Sequence, residues 1–167
     1  MQNTIYPTLR FTQQKTYTFS ALFIIGNILL PQLCHLVPQG GLMLLPIYFF
    51  TLVGAYCFGI HVGLLTAVLS PVVNSMLFGM PPMAALPAIL VKSVALAVAA
   101  SYVAHRYQRV SIPLVALVVV VYQLVGMTFE LIQTGSLYAA LQDVRMGIPG
   151  LLMQVFLGYF IIKKIAK

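Results

Sequence analysis

Residues 69–104 read LSPVVNSMLFGMPPMAALPAILVKSVALAVAASYVA. One apolar run ends near Phe78, the stretch Gly79-Met80-Pro81-Pro82 reverses the chain, and a second, alanine-rich run follows. Glycine and proline together mark a tight turn, because one supplies left-handed backbone and the other cannot continue a helix. Lys92 lies about two turns into the second run, with Ala88, Ala95 and Ala99 around it. A lone cation in an apolar helix is costly to bury, so it marks a functional site and requires a partner from elsewhere in the chain.

Composition sets the medium. Of the 167 residues, 61% are hydrophobic and 7% charged, against about 25% charged in a soluble domain. Too little polar surface is present to cover a water-soluble globule. The expectation is one all-α integral membrane domain over residues 1–167, with 1–16 as a polar cytoplasmic segment. Lys and Arg total 9 against 2 acids. Most of these cations fall in linkers and tails, where they orient a membrane protein. No stretch combines basic and aromatic residues densely enough to bind nucleic acid. The first 16 residues hold no apolar segment followed by a small-residue cleavage site, so no removable signal peptide is expected. Cys34 and Cys57 fall near opposite faces of the bilayer, too far apart to be bridged, and read as free thiols.

With proline, glycine and charge as punctuation, the chain divides into a compact bundle of six spans, at about 17–36, 42–58, 61–78, 84–104, 112–134 and 144–162. An N-terminus in the cytoplasm puts Arg10, Lys15, Arg106, Arg109, Lys163, Lys164 and Lys167 inside and only Arg145 outside. Both termini are then cytoplasmic, and linkers 37–41, 79–83 and 135–143 face out.

On that topology the polar residues of the spans gather at one level. Asn74 is near the outer end of the third span, Lys92 in the outer half of the fourth, Glu130 one turn from the outer end of the fifth, and His35 at the outer end of the first. Their convergence predicts an outward-facing pocket. Gln123, Gly126, Glu130 and Gln133 share one face of the fifth span, and Thr66, Ser70 and Asn74 one face of the third. The candidate binding residues are Lys92, Glu130, Asn74, His35, Tyr48, Gln133 and Tyr138. Lys92 and Glu130 suit a zwitterionic or neutral polar solute, or else pair with each other to fix helix register. Asn74 and Gln133 offer hydrogen bonds, Tyr48 a ring near the outer end of its span, and Tyr138 a lid position. A His-Cys pair at 34–35 falls short of the three or four ligands a metal needs, so no metal and no cofactor is expected. No phosphate loop, HExxH or GxSxG is present, and Glu130 and Asp143 are the only acids. Catalysis is not expected.

In its length, its six spans and its outward pocket, the chain resembles the substrate-binding S component of an energy-coupling factor (ECF) vitamin transporter. The stretches PQGGLMLLPIYFFTLVGAY and LSPVVNSMLFGMPP add to the resemblance. It implies capture of a small vitamin or related micronutrient at the outer face of a bacterial cytoplasmic membrane. It also implies two kinds of partner in the bilayer complex, a membrane coupling subunit and a pair of cytoplasmic ATPases. The three outer linkers would close over the pocket. In that family the first span often carries alanines four apart that dock on the coupling subunit. Here Ala21 has Tyr17 and Ile25 at those spacings, and the small face of Thr51, Ala55 and Gly59 is the substitute docking candidate. The absence of Trp weighs against a thiamine-like stacking site. Two other readings stay open: a standalone small-solute channel or secondary carrier, and a structural membrane subunit that binds no solute.

Overall fold

The computed structural model describes residues 6–166, so residues 1–5 and Lys167, the last of the expected cytoplasmic cations, lie outside the described residues. These described residues form helices α1 (Gln14–Cys34), α2 (Gly40–Leu44), a 3-10 turn (Pro46–Tyr48), α3 (Phe49–Phe58), α4 (Ile60–Phe78), α5 (Leu86–Tyr107), α6 (Ile112–Thr134), α7 (Leu137–Ala140), α8 (Gln142–Met146) and α9 (Ile148–Ile165). Five of them, α1, α4, α5, α6 and α9, are long and apolar enough to cross a bilayer. By that measure the described residues are those of an all-helical, multi-pass membrane protein.

The second expected span is where the structure departs from the sequence reading. Residues 42–58 are not one helix. Leu45 takes a left-handed conformation (φ 46°) between α2 and the 3-10 turn, and α3 proper has only 10 residues. At about 1.5 Å per residue it covers roughly half of a 30 Å hydrocarbon layer. Pro46 is the local cause, since it disfavours helical backbone at the residue before it and has no N–H to donate.

A broken helix inside a membrane protein must have its freed backbone groups satisfied by protein. Asn27 of α1 does this. Its Oδ1 accepts the Phe50 N–H at 3.1 Å, while its Nδ2 donates to Thr51 Oγ1 at 3.0 Å. Asn74 of α4 donates in turn to the Asn27 carbonyl at 2.8 Å. The break is thereby stitched to both neighbours.

The short helix α3 sits at the centre. It packs against α1, α4, α5 and α9, and α5 in turn against α4 and α6. Leu52, Ala55 and Tyr56 of α3 are fully buried. Close approach depends on small residues: a Cβ on Gly63 of α4 would lie 2.5 Å from Ala55 Cβ and 3.2 Å from Ala97 Cβ. Thr51, Ala55 and Gly59 are thus buried among α4, α5 and the N-terminal segment, where Thr8 lies against Gly59. The expectation that this face docks a partner is corrected: no partner can reach it.

The bundle's outside is apolar instead. Leu22, Ile25, Leu29 and Leu33 form an exposed stripe along α1 at helical spacing. Thr66, Ser70, Ser93 and Gln154 are buried. Thr66 and Ser70 donate to carbonyls four residues back, which satisfies them within α4.

Candidate functional site

Lys92 is 1% exposed and its ammonium donates to two carboxylates, Glu130 Oε1 of α6 and Asp143 Oδ2 of α8, each at 2.8 Å. The chain has two acids in all, so both converge on this one lysine. Helix spacing explains the geometry. Gly126 lies one turn before Glu130 on the same face of α6, and a Cβ there would run into the Lys92 stem. Glycine at that position lets the lysine lie flat against α6 and carry its ammonium towards the next turn, where Glu130 waits. Asp143 arrives by another route: after α6 the chain turns back through α7, and α8 starts at Gln142 over the Lys92 end of the bundle.

These three side chains line a cavity of ≈ 360 Å³, within the range of about 300–1,000 Å³ usual for small-molecule sites. Tyr48, Ala88 and Gln133 are also on its wall. Tyr48 is buried, with its ring 5.4 Å from that of Tyr122. Behind it, Tyr122 donates to Gln154 Oε1 at 2.8 Å and accepts from Gln123 Nε2 at 3.2 Å. A second chamber of ≈ 460 Å³ adjoins the first and is lined by Pro31, His35, Met80, Pro81 and Pro82 among others.

Of the residues expected at the site from sequence, Lys92, Glu130, Tyr48 and Gln133 meet in the first chamber, and His35 lies on the second with Nδ1 donating to the Pro31 carbonyl at 2.7 Å. Asn74 lines neither. It is 1% exposed, and its Nδ2 is taken up at the contact between α1 and α4, while its Oδ1 is buried with no hydrogen-bond partner. Tyr138 is 72% exposed and holds Arg145, whose guanidinium lies 3.9 Å above its ring centre and donates to its hydroxyl at 3.0 Å. Asp143 was missed. The signal was available in arithmetic, since a chain with two acids and a buried lysine has few ways to balance it.

Electrostatically the cluster is unequal: one ammonium faces two carboxylates. Glu130 Oε2 is buried without a hydrogen-bond partner. Asp143 lies in the first turn of α8, where the N-terminal partial charge favours a carboxylate, and Glu130 lies one turn from the C-terminus of α6, where the partial charge disfavours one. No protein-family profile, curated protein or solved structure matches this chain.

Proposed function

We propose that this chain captures a small polar solute within the membrane, as the substrate-binding subunit of an ATP-driven importer of the kind the sequence resembles, the ECF type. The observation that supports it is the Lys92–Glu130–Asp143 cluster on the wall of a cavity of solute size. Ionisable groups at membrane depth concentrate at solute sites, and a purely structural ion pair needs no cavity beside it. In this reading α2, the 3-10 turn and α3 together act as a sixth crossing. The N-terminal segment, the 108–111 link and the C-terminus face the cytoplasm, and the cavity opens outward under α7 and α8. The charge bias of the linkers supports that orientation. The solute is a vitamin or similar micronutrient, and the chain itself carries out no chemistry. A coupling subunit and a pair of ATPases supply the energy. Their docking surface must be an exposed one, and the apolar stripe of α1 around Ile25 and Leu29 is exposed.

The reading is tested by coexpressing the chain with an ECF coupling subunit and its ATPases and purifying through a tag on this chain. The expected result is a detergent-stable complex of all components. A chain that always purifies alone counts against the importer. The one observation that favours a structural subunit is that Lys92 already donates to two protein carboxylates. In that case neutralising the three residues changes stability alone, and there is no solute binding for it to remove.

A further inference from the structure

We infer that the solute carries a cationic head on an apolar body. The inference rests on the capture reading and names the solute class for that same cavity. Three observations carry it. First, Lys92 stands against two carboxylates, Glu130 and Asp143, so with both ionised the cavity wall carries one negative charge in excess. Arg145, the nearest exposed cation in sequence, is turned away onto Tyr138. An excess charge on largely buried carboxylates is unfavourable, and a bound cation offsets it. An anion would double it, and could reach Lys92 only by expelling one of two carboxylates already at hydrogen-bond distance.

Second, an acceptor has bonding capacity left. Glu130 lines the cavity, and its Oε2, covered by its surroundings, has no hydrogen-bond partner, so a turn of the carboxylate would present it to a donor in the cavity. A carboxylate oxygen accepts from an ammonium or guanidinium N–H. Third, the cavity does not end at the charged cluster. Gly41, Leu42, Ile47, Ala85, Ile89 and Gln142 line both chambers, so the two adjoin across a shared wall. Beyond the shared wall the lining is Pro31, Pro46, Met80, Pro81 and Pro82, with His35 at the margin. A head at Glu130 thus has an apolar chamber beside it, of a size for a ring or short hydrocarbon body.

The test uses the full chain purified in mild detergent and three probes with one body and different heads: 4-phenylbutylammonium, 4-phenylbutanol and 4-phenylbutyrate. Isothermal titration is expected to show the ammonium binding at least about tenfold more tightly than the other two. Glu130→Gln, which leaves Lys92 and Asp143 as a neutral pair, is expected to abolish that preference. Ala85→Phe, which adds bulk to the wall both chambers share, is expected to remove the gain of 4-phenylbutylammonium over butylammonium. Tighter binding of the carboxylate, or equal binding of all three heads, overturns the cationic assignment and leaves solute capture standing. If none of the probes binds, the charge of any small molecule the purified chain releases decides: a cation supports the assignment and any other solute overturns it. A chain that binds no probe and releases nothing defeats both the assignment and the capture reading beneath it.

Discussion

At the scale of single residues, the account turns on Lys92. Its position in an alanine-rich apolar run was enough to mark it in the sequence, and Glu130 followed from depth and helical spacing. Asp143 did not, because its place is set by α8 folding back over the bundle, and no periodicity within a helix encodes that return. Removing Lys92 leaves two carboxylates together in a cavity. Lys92→Ala is therefore expected to cost about 3–5 kcal/mol, read as a lower thermal midpoint in detergent. The combination Lys92→Met, Glu130→Gln and Asp143→Asn is expected to recover most of it. A single Lys92→Ala variant as stable as the wild type would show that the cluster carries little energy. Gly126 offers a finer test. Gly126→Ala puts a methyl into the lysine stem and must displace the ammonium from Glu130. Solute binding is expected to weaken more than tenfold while the helices persist by circular dichroism, whereas unchanged affinity would mean that the lysine does not need its place.

Among the elements, the broken second span is the informative one. Four of the six expected spans match long helices to within a few residues, α1, α4, α5 and α6, because proline, glycine and charge mark their ends directly in the sequence. α9 begins later than expected, since α8 takes residues 142–146 for the cap over the cavity. The 42–58 segment read as continuous because its hydropathy is continuous. Pro46 was the local sign of a break, but what permits the break is Asn27, distant in sequence and supplying the acceptor that Phe50 lacks. Asn27 was not singled out as a site residue for the same reason: its role exists only after α1 and α3 are packed. Asn27→Leu leaves the Phe50 N–H without its acceptor and Thr51 Oγ1 without its donor, while the bond from Asn74 to the residue 27 main-chain carbonyl stays. A loss of about 1–3 kcal/mol is expected, with faster amide exchange at the start of α3. Amide protection there equal to the wild type would contradict the capping role.

For the whole molecule, the sequence carried the class and the general architecture, because a chain this apolar has few alternatives to a helical bundle in lipid. The inside-out distribution, with serines, threonines and glutamines within and a leucine stripe without, follows from the same physics. Docking was misread from Thr51, Ala55 and Gly59, since small residues at helical spacing serve internal packing as readily as an external partner, and here Gly63 and Ala97 occupy the other side. Orientation is testable at this scale. In a background with Cys34 and Cys57 replaced by Ser, Tyr138→Cys is expected to react with an impermeant maleimide on intact cells. Arg106→Cys is expected to react only after permeabilisation. The reverse pattern would invert the proposed topology and put the cavity on the cytoplasmic side.

The central claim is that the Lys92–Glu130–Asp143 cavity holds a solute. Its most direct test is mass spectrometry of the small molecules released from the chain after purification in mild detergent, with Glu130→Gln and Gly126→Ala prepared in parallel. The account predicts one defined compound at near-stoichiometric amount from the wild type, cationic in its head group, and strongly reduced from both variants. A compound retained equally by all three proteins would place binding elsewhere, and an empty wild type that also fails to bind any of the three phenylbutyl probes would contradict the claim.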